Sequence, residues 1–322
     1  MLNPFAQLIG HNQAVELLTG AIAHQQIAPA YLFTGADGVG KKLAARCFIE
    51  QLFCLNIPQS KHQQIHHRLQ LGNHPDLLWV EPNYMHQGRL LSAAEAAAAG
   101  VKRKAPPTIR IEQIRQIAQF LSRSPLEATR LVVVLEQAET MAEPAANALL
   151  KTLEEPGIAT LILIAPATEA LLPTLVSRCQ RIPFARLDRD SMVEVLRLAN
   201  GQILSQQDII ALAQGSPGQA IAAWQQLQLI PSELLEKLTQ IPKSLREALE
   251  LARQIDKTLD TEAQLWLVDY LQHCYWQQFL QGNIQRSPLE KLEKARKNLL
   301  SYAQPRLVWE VTLIDLIEAV FA

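Results

Sequence analysis

The chain has 322 residues, 48% of them hydrophobic and 19% charged, with four cysteines and a formal net charge of -1. That length exceeds one ordinary core and implies two or three domains. The near-zero charge excludes a bulk electrostatic drive towards nucleic acid or an anionic membrane. No apolar run approaches the ~18 residues of a membrane span, and the first residues carry no basic segment leading into an apolar core. Cys47 and Cys54 fall about 10 Å apart along one helix at ~1.5 Å per residue, too far to bridge. The expected setting is reducing and cytoplasmic.

Residues 7–25 carry Leu8, Ala14, Leu17, Leu18 and Ile22 at helical spacing, with a break at Ile9-Gly10-His11. Short apolar runs then recur between helical segments: 31–33, 76–80, 131–135, 160–164 and 181–184. Leu-Val-Val-Val-Leu at 131–135 suits a strand buried on both faces, hence a parallel sheet wrapped by helices. Two stretches interrupt the alternation. Residues 54–73 carry His62, His66 and His67 without a clear period, and 83–107 read as a mobile insertion containing Ala93–Ala99 and Lys102-Arg103-Lys104. Arg110, Arg115 and Arg123 lie on or beside an amphipathic helix, and they read as a solvated face rather than a DNA contact. From Asp188 onward the strand signal ends. Asp188 and Ser205 are placed to cap helices, Gly215-Ser216-Pro217-Gly218 opens another, and Pro231 begins a longer helical block.

The chemistry concentrates at 31–43, where an apolar run meets Thr-Gly-Ala-Asp-Gly-Val-Gly-Lys-Lys. Gly35, Gly38 and Gly40 permit a tight turn whose N–H groups converge on an anion, and Lys41 stands where a phosphate-binding loop places its lysine. The next position should carry the Ser or Thr hydroxyl that holds Mg²⁺; it is Lys42. A second motif should end a strand in two carboxylates, one for Mg²⁺ and one for the attacking water. Here 131–135 is followed by Glu136-Gln137-Ala138-Glu139, and Gln137 cannot serve as a base. Both motifs are damaged in the same direction. The backbone nest and Lys41 remain, so binding without turnover and an empty loop are both open.

Downstream, Ala-Ala-Asn-Ala-Leu-Leu-Lys-Thr-Leu-Glu-Glu-Pro at 145–156 and Leu-Pro-Thr-Leu-Val-Ser-Arg-Cys-Gln at 172–180 are more specific. On these residues the chain resembles the clamp-loader branch of the AAA+ proteins, and within it the delta-prime family of bacterial DNA polymerase III. The resemblance runs from about Asn3 to the C-terminus and is weakest in the last hundred residues. It implies an α/β fold: a RecA-like AAA+ parallel-sheet domain (1–186) with a degenerate P-loop, a small helical lid (187–229) and an all-α collar that oligomerises (230–322). It implies a pentameric ring with delta and gamma/tau subunits that loads the sliding clamp onto primed DNA. It also makes Arg178, flanked by Ser177 and Cys179, an arginine finger acting in trans on a neighbour's site. Gly218 and Gln219 stand where ATPase members carry a sensor arginine, a third departure. The four-cysteine zinc module common in such subunits is absent: only Cys54 matches, and Cys54, His62, His66 and His67 fit no zinc spacing. No metal is therefore expected.

Two other functions compete with that of a catalytically silent assembly subunit. An active gamma/tau-like ATPase needs a Mg²⁺ ligand at Lys42 and a base at Gln137. A P-loop kinase does not account for Ser177-Arg178-Cys179 or the helical C-terminal third.

Overall fold

In the computed structural model, residues 4–86, 89–92, 95–96, 106–284, 287–301 and 303–321 are described. The chain forms two compact units: 1–195 with 216–218, and 196–215 with 219–322.

The first unit is built on five parallel strands, β1 (Ala30–Thr34), β2 (Leu77–Val80), β5 (Leu131–Leu135), β6 (Ala159–Ala165) and β7 (Gln180–Pro183). Their order across the sheet is β2-β5-β6-β1-β7. All five apolar runs of the sequence are strands of this sheet. Every residue of β5 and β6 is buried, as continuous apolar runs with helices on both faces require. One face packs on Phe48, Ile49, Leu52 and Phe53 of α2 (Lys41–Cys54). The other packs on Ile114 and Ile117 of α4 (Ile111–Leu121) and Leu149 of α5 (Glu143–Glu154). Because the strands are parallel, every segment that leaves a strand's carboxyl end emerges on the same edge.

Two stretches without a readable period have structure. Residues 59–71 form α3 (Gln59–Leu71), on which only Ile65 is buried, so no apolar stripe exists to be seen. Within 83–107, β3 (Tyr84–His86) and β4 (Arg89–Leu91) pair antiparallel, which corrects the expectation of an insertion with no folded element. Strands of three residues are too short to show alternation. Lys102-Arg103-Lys104 and most of Ala93–Ala99 lie outside the described residues. Ser205 does not cap a helix: its hydroxyl donates to the Gln202 carbonyl, whereas Asp188 accepts the Ser191 N–H at 2.8 Å as expected.

The second unit is all-helical among its described residues. Helices Leu245–Thr258, Thr261–Leu280, Leu289–Leu300 and Pro305–Phe321 enclose a core centred on Trp309, Tyr275, Leu267 and Leu313. Ser244 and Asp260 cap two of them by accepting N–H groups of Glu247 and Ala263. Trp309 donates to Gln264 at 2.9 Å, which satisfies two buried polar groups together. No described helix is long and apolar enough to cross a membrane.

A buried carboxylate fixes the approach to β5. Asp76 is fully buried and accepts N–H bonds from Leu126, Glu127 and Ala128 at 2.8, 2.7 and 2.7 Å. Burial opposes its ionisation, but the three donors outweigh burial and its pKa is lowered. Asp76→Ala should therefore destabilise the protein by about 2–4 kcal/mol in urea unfolding, since it strands these donors. With the folded pKa below the unfolded one, this stabilisation is present above about pH 4 and is lost as pH falls through the folded value. The stability difference between Asp76→Ala and the parent chain should shrink over that acid range.

Candidate functional site

The loop between β1 and α2 is held from three sides. Gly35, Gly38 and Gly40 all have positive φ, at 152°, 77° and 120°. A Cβ on Gly35 would lie 2.2 Å from the Phe184 carbonyl oxygen, so glycine is required there for space as well as for conformation. Buried His11 bonds the Val39 carbonyl at 2.7 Å. Ser216 donates its hydroxyl to the Asp37 carbonyl at 2.6 Å, and the Gly218 N–H donates to the Gly38 carbonyl at 2.9 Å. A Cβ on Gly218 would stand 2.6 Å from Gly38 Cα. Glycine at 218, where a sensor arginine was the point of comparison, is thus what lets this segment reach the loop.

The three bonds are all accepted by loop carbonyls. Lys41 is 4% exposed, and its ammonium donates to the carbonyls of Gly35 and Ala36 and to Asp37 Oδ1 at 3.4 Å. Burial lowers its pKa, against the opposing pull of Asp37 and Glu139.

Lys42 turns to the far side of the same cleft. Its Nζ lies 2.8 Å from Glu136 Oε2, just beyond β5, and 3.1 Å from Glu81 Oε1, just beyond β2. Trp79 Nε1 donates to the same Glu136 oxygen at 2.9 Å, and the Lys42 ammonium sits 5.5 Å from the Trp79 ring centre. The Gln113 amide donates to the Glu81 carbonyl at 2.8 Å, fixing the turn that presents Glu81. Burial works to lower the Lys42 pKa, but the two carboxylates outweigh it and the net shift is upward. Lys42 is thus a fixed cation.

Gln137 is exposed and left-handed, with φ 52° and ψ 52°. Glu139 lines the cleft with one carboxylate oxygen buried and without a hydrogen-bond partner, and burial raises its pKa. The cleft measures about 510 Å³ and brings together Gly38, Gly40, Lys41, Lys42, Glu136 and Gln137. These come from the carboxyl ends of β1 and β5, on either side of β6, where a parallel sheet positions ligands. Sequence reasoning assigned no role to Glu81, Trp79 or Glu139. Glu81 directly follows a strand, and that position was the available signal.

Arg178 is not part of this cleft. It follows the short α6 (Pro173–Val176), with Nη2 2.8 Å from Glu154 Oε1 and Nη1 3.1 Å from the Thr174 carbonyl. Ser177 Oγ donates to the same Thr174 carbonyl at 3.1 Å. Arg123 donates to the Pro75 carbonyl and lies over the Phe120 ring, a structural role, whereas Arg115 is exposed. His66 pairs with Glu50 at 3.0 Å and His62 with the Ile57 carbonyl at 2.9 Å, and no metal-holding cluster occurs among the described residues.

Comparison with known proteins adds the following. Residues 10–188 match the family described as DNA polymerase III, delta subunit. Residues 190–316 match the cyanobacterial DNA polymerase III delta prime, C-terminal domain. The DNA polymerase III subunit delta' of Bacillus subtilis (strain 168) is 32% identical over 178 residues, covering 54% of this chain and 47% of that protein. Its Pseudomonas aeruginosa counterpart is 33% identical over 203 residues, covering 60% and 54%. The chain thus spans about half the length of these relatives. A DNA polymerase III gamma subunit-related protein from Thermotoga maritima superimposes with a TM-score of 0.56 at 19% identity, covering 96% of this chain and 99% of that one; this is a likeness of fold.

Cys179, half-buried beside Arg178, has its thiol pushed up to about 11 by burial. At pH 8 its thiolate fraction should be roughly a hundredfold below that of an unperturbed thiol. Peptide mapping after iodoacetamide should show Cys179 alkylated far more slowly in the native chain than after unfolding. Labelling of the native chain at that residue as fast as in the unfolded chain would contradict the raised pKa.

Proposed function

The chain belongs to the delta-prime family of DNA polymerase III, and from that premise we propose that it is a non-hydrolysing subunit of the replicative clamp loader. It would join delta and gamma/tau subunits in a pentameric ring in the cytoplasm and help place the sliding clamp on primed DNA. The observation that carries the silent-site reading is the pairing of Lys42 with Glu136. That pair occupies the carboxylate a Mg²⁺ ion would need, while Gln137 stands where a base should be. A Mg²⁺ ion does not fit this donor set.

In this reading the chain's catalytic contribution is made in trans by Arg178. Guanidinium stays charged and can grip phosphate oxygens with two parallel hydrogen bonds. Arg178 is exposed and is held by Glu154 and a backbone carbonyl, both exchangeable for a phosphate. The helical segment 230–322 is proposed as the assembling collar, and Leu307 and Val311 are solvent-exposed on its last helix. The alternative, a gamma/tau-like ATPase, has one observation in its favour: Glu139, a second carboxylate in the cleft.

Two measurements test the reading. Phosphate release by the isolated chain should equal that of Lys41→Ala; turnover dependent on Lys41 would favour the ATPase. Arg178→Ala should leave assembly intact yet lower clamp- and DNA-stimulated hydrolysis by the reconstituted loader. The site it serves would lose about 10³-fold or more, and the total only partly, since the other sites keep their own arginines. Arg178→Lys should rescue poorly, for want of the planar fork. Full hydrolysis with Arg178→Ala in an assembled complex would reject the assignment.

A further inference from the structure

The helix Thr261–Leu280 carries large apolar side chains on two sides. Leu267, Leu271 and Tyr275 fill the core of the helical unit. On the other side Glu262, Trp266, Asp269, His273 and Trp276 follow at spacings of four, three, four and three residues, which sets them in one row along the helix. That row is one wall of a groove of about 730 Å³, a size that suits a small ligand or inserted peptide side chains. The facing wall comes from residues 219–226, which include no charged side chain. All the lining residues belong to the helical unit.

Charge, aromatic faces and unpaired polar atoms all narrow what the groove can take. Glu262 and Asp269 line it, Asp208 lies 4.0 Å from the lining His273, and Glu293 accepts from the lining Gln272 at 3.3 Å. Against these four carboxylates stand Arg296, 3.3 Å from Asp269, and His273, so negative charge is in excess even with the imidazole protonated. Burial raises the Asp269 pKa despite Arg296, and Glu293 adds to the rise, so this carboxylate is short of positive charge. Trp266 is stacked on Tyr270 at 5.2 Å and Trp276 on Phe279 at 5.4 Å, which holds both indoles in place before anything binds. Trp266 Nε1 and Gln226 Oε1 are buried without a hydrogen-bond partner, the first lacking an acceptor and the second a donor.

We propose that this groove holds an arginine side chain presented by a peptide segment of another protein. Guanidinium meets these features together: it is planar and stacks on indole, stays charged, and offers a fork of donors for the Asp269 carboxylate and the Gln226 amide oxygen. An ammonium is a point charge with no face to stack. A backbone carbonyl of the segment supplies the acceptor that the Trp266 indole lacks. Leu307 and Val311, the exposed residues of the proposed assembling collar, do not line the groove, so the two proposals stand or fall separately.

The test is an NMR titration of the full chain, labelled with ¹⁵N-tryptophan, with the peptide acetyl-Leu-Arg-Leu-amide. The indole N–H signals of Trp266 and Trp276 should shift and saturate with a dissociation constant below about 1 mM, while those of Trp79 and Trp309 stay in place. The same peptide with citrulline, a neutral isostere of arginine, should bind at least about tenfold more weakly. Asp269→Asn should weaken the arginine peptide by a similar factor. Ala222 is exposed on the groove wall, so Ala222→Phe should fill the groove without disturbing the core and abolish binding at unchanged thermal stability. No saturable shift up to about 10 mM overturns the proposal, as does equal affinity for the citrulline peptide or full binding by Ala222→Phe. Argininamide binding as tightly as the peptide would make the groove a site for a small cation and would equally overturn it.

Discussion

The ion pair of Lys42 with Glu136 constrains everything else the cleft can do. Its partners are 42% and 21% exposed, so its contribution to stability is of the order of 1 kcal/mol or less. The consequence is chemical rather than energetic. Glu136 Oε2 already accepts from the Lys42 ammonium and the Trp79 indole. An oxygen with two donors in place is a poor ligand for an ion that demands near-ideal octahedral geometry. A weak interaction can therefore matter chemically out of proportion to its energy, because it engages an oxygen that a metal would otherwise use.

The pair exists because of the sheet. Lys42 and Glu81 are 39 residues apart, and Glu136 lies farther on still. They meet because β2 and β5 run parallel in register, Val80 beside Leu135, and end at the same edge. That register is secured behind the site by Asp76, whose carboxylate holds the N–H groups of 126–128 just before β5 begins. Gln113 secures it in front through the Glu81 carbonyl. The rigidity of the site is thus inherited from buried apolar strands that carry no chemistry themselves.

This arrangement explains which parts of the site were legible in sequence. Gly35, Gly38, Gly40 and Lys41 are contiguous and their spacing carries the geometry, so the loop could be read directly. Lys42 and Gln137 were readable as departures, because each stands at a position whose chemistry is known. Glu81 was not, since its meaning depends on strand order. The five central strands were visible as apolar runs, while the hairpin at 84–91 and the helix at 59–71 were not. The hairpin is too short to alternate, and the helix buries only Ile65, so neither imposes a period on its residues. Periodicity reports burial, and elements that bury little stay silent.

The role proposed for Arg178 would show the same economy on a different surface. An arginine that acts on another molecule must be kept in place before it is needed and released when it is. A buried partner would hold it too firmly, because separating a desolvated pair leaves a charge unpaired at several kcal/mol. No partner at all would leave a long side chain to lose its rotamer freedom on engagement. Glu154 lies between these limits: the pair is 38% and 53% exposed, a class worth about 0–1 kcal/mol. The Thr174 carbonyl adds one further bond, and the Ser177 hydroxyl shares that acceptor. In the proposed role these contacts would be exchanged for two parallel bonds to phosphate oxygens. The short helix Pro173–Val176 anchors the backbone beneath Arg178 through buried Leu175.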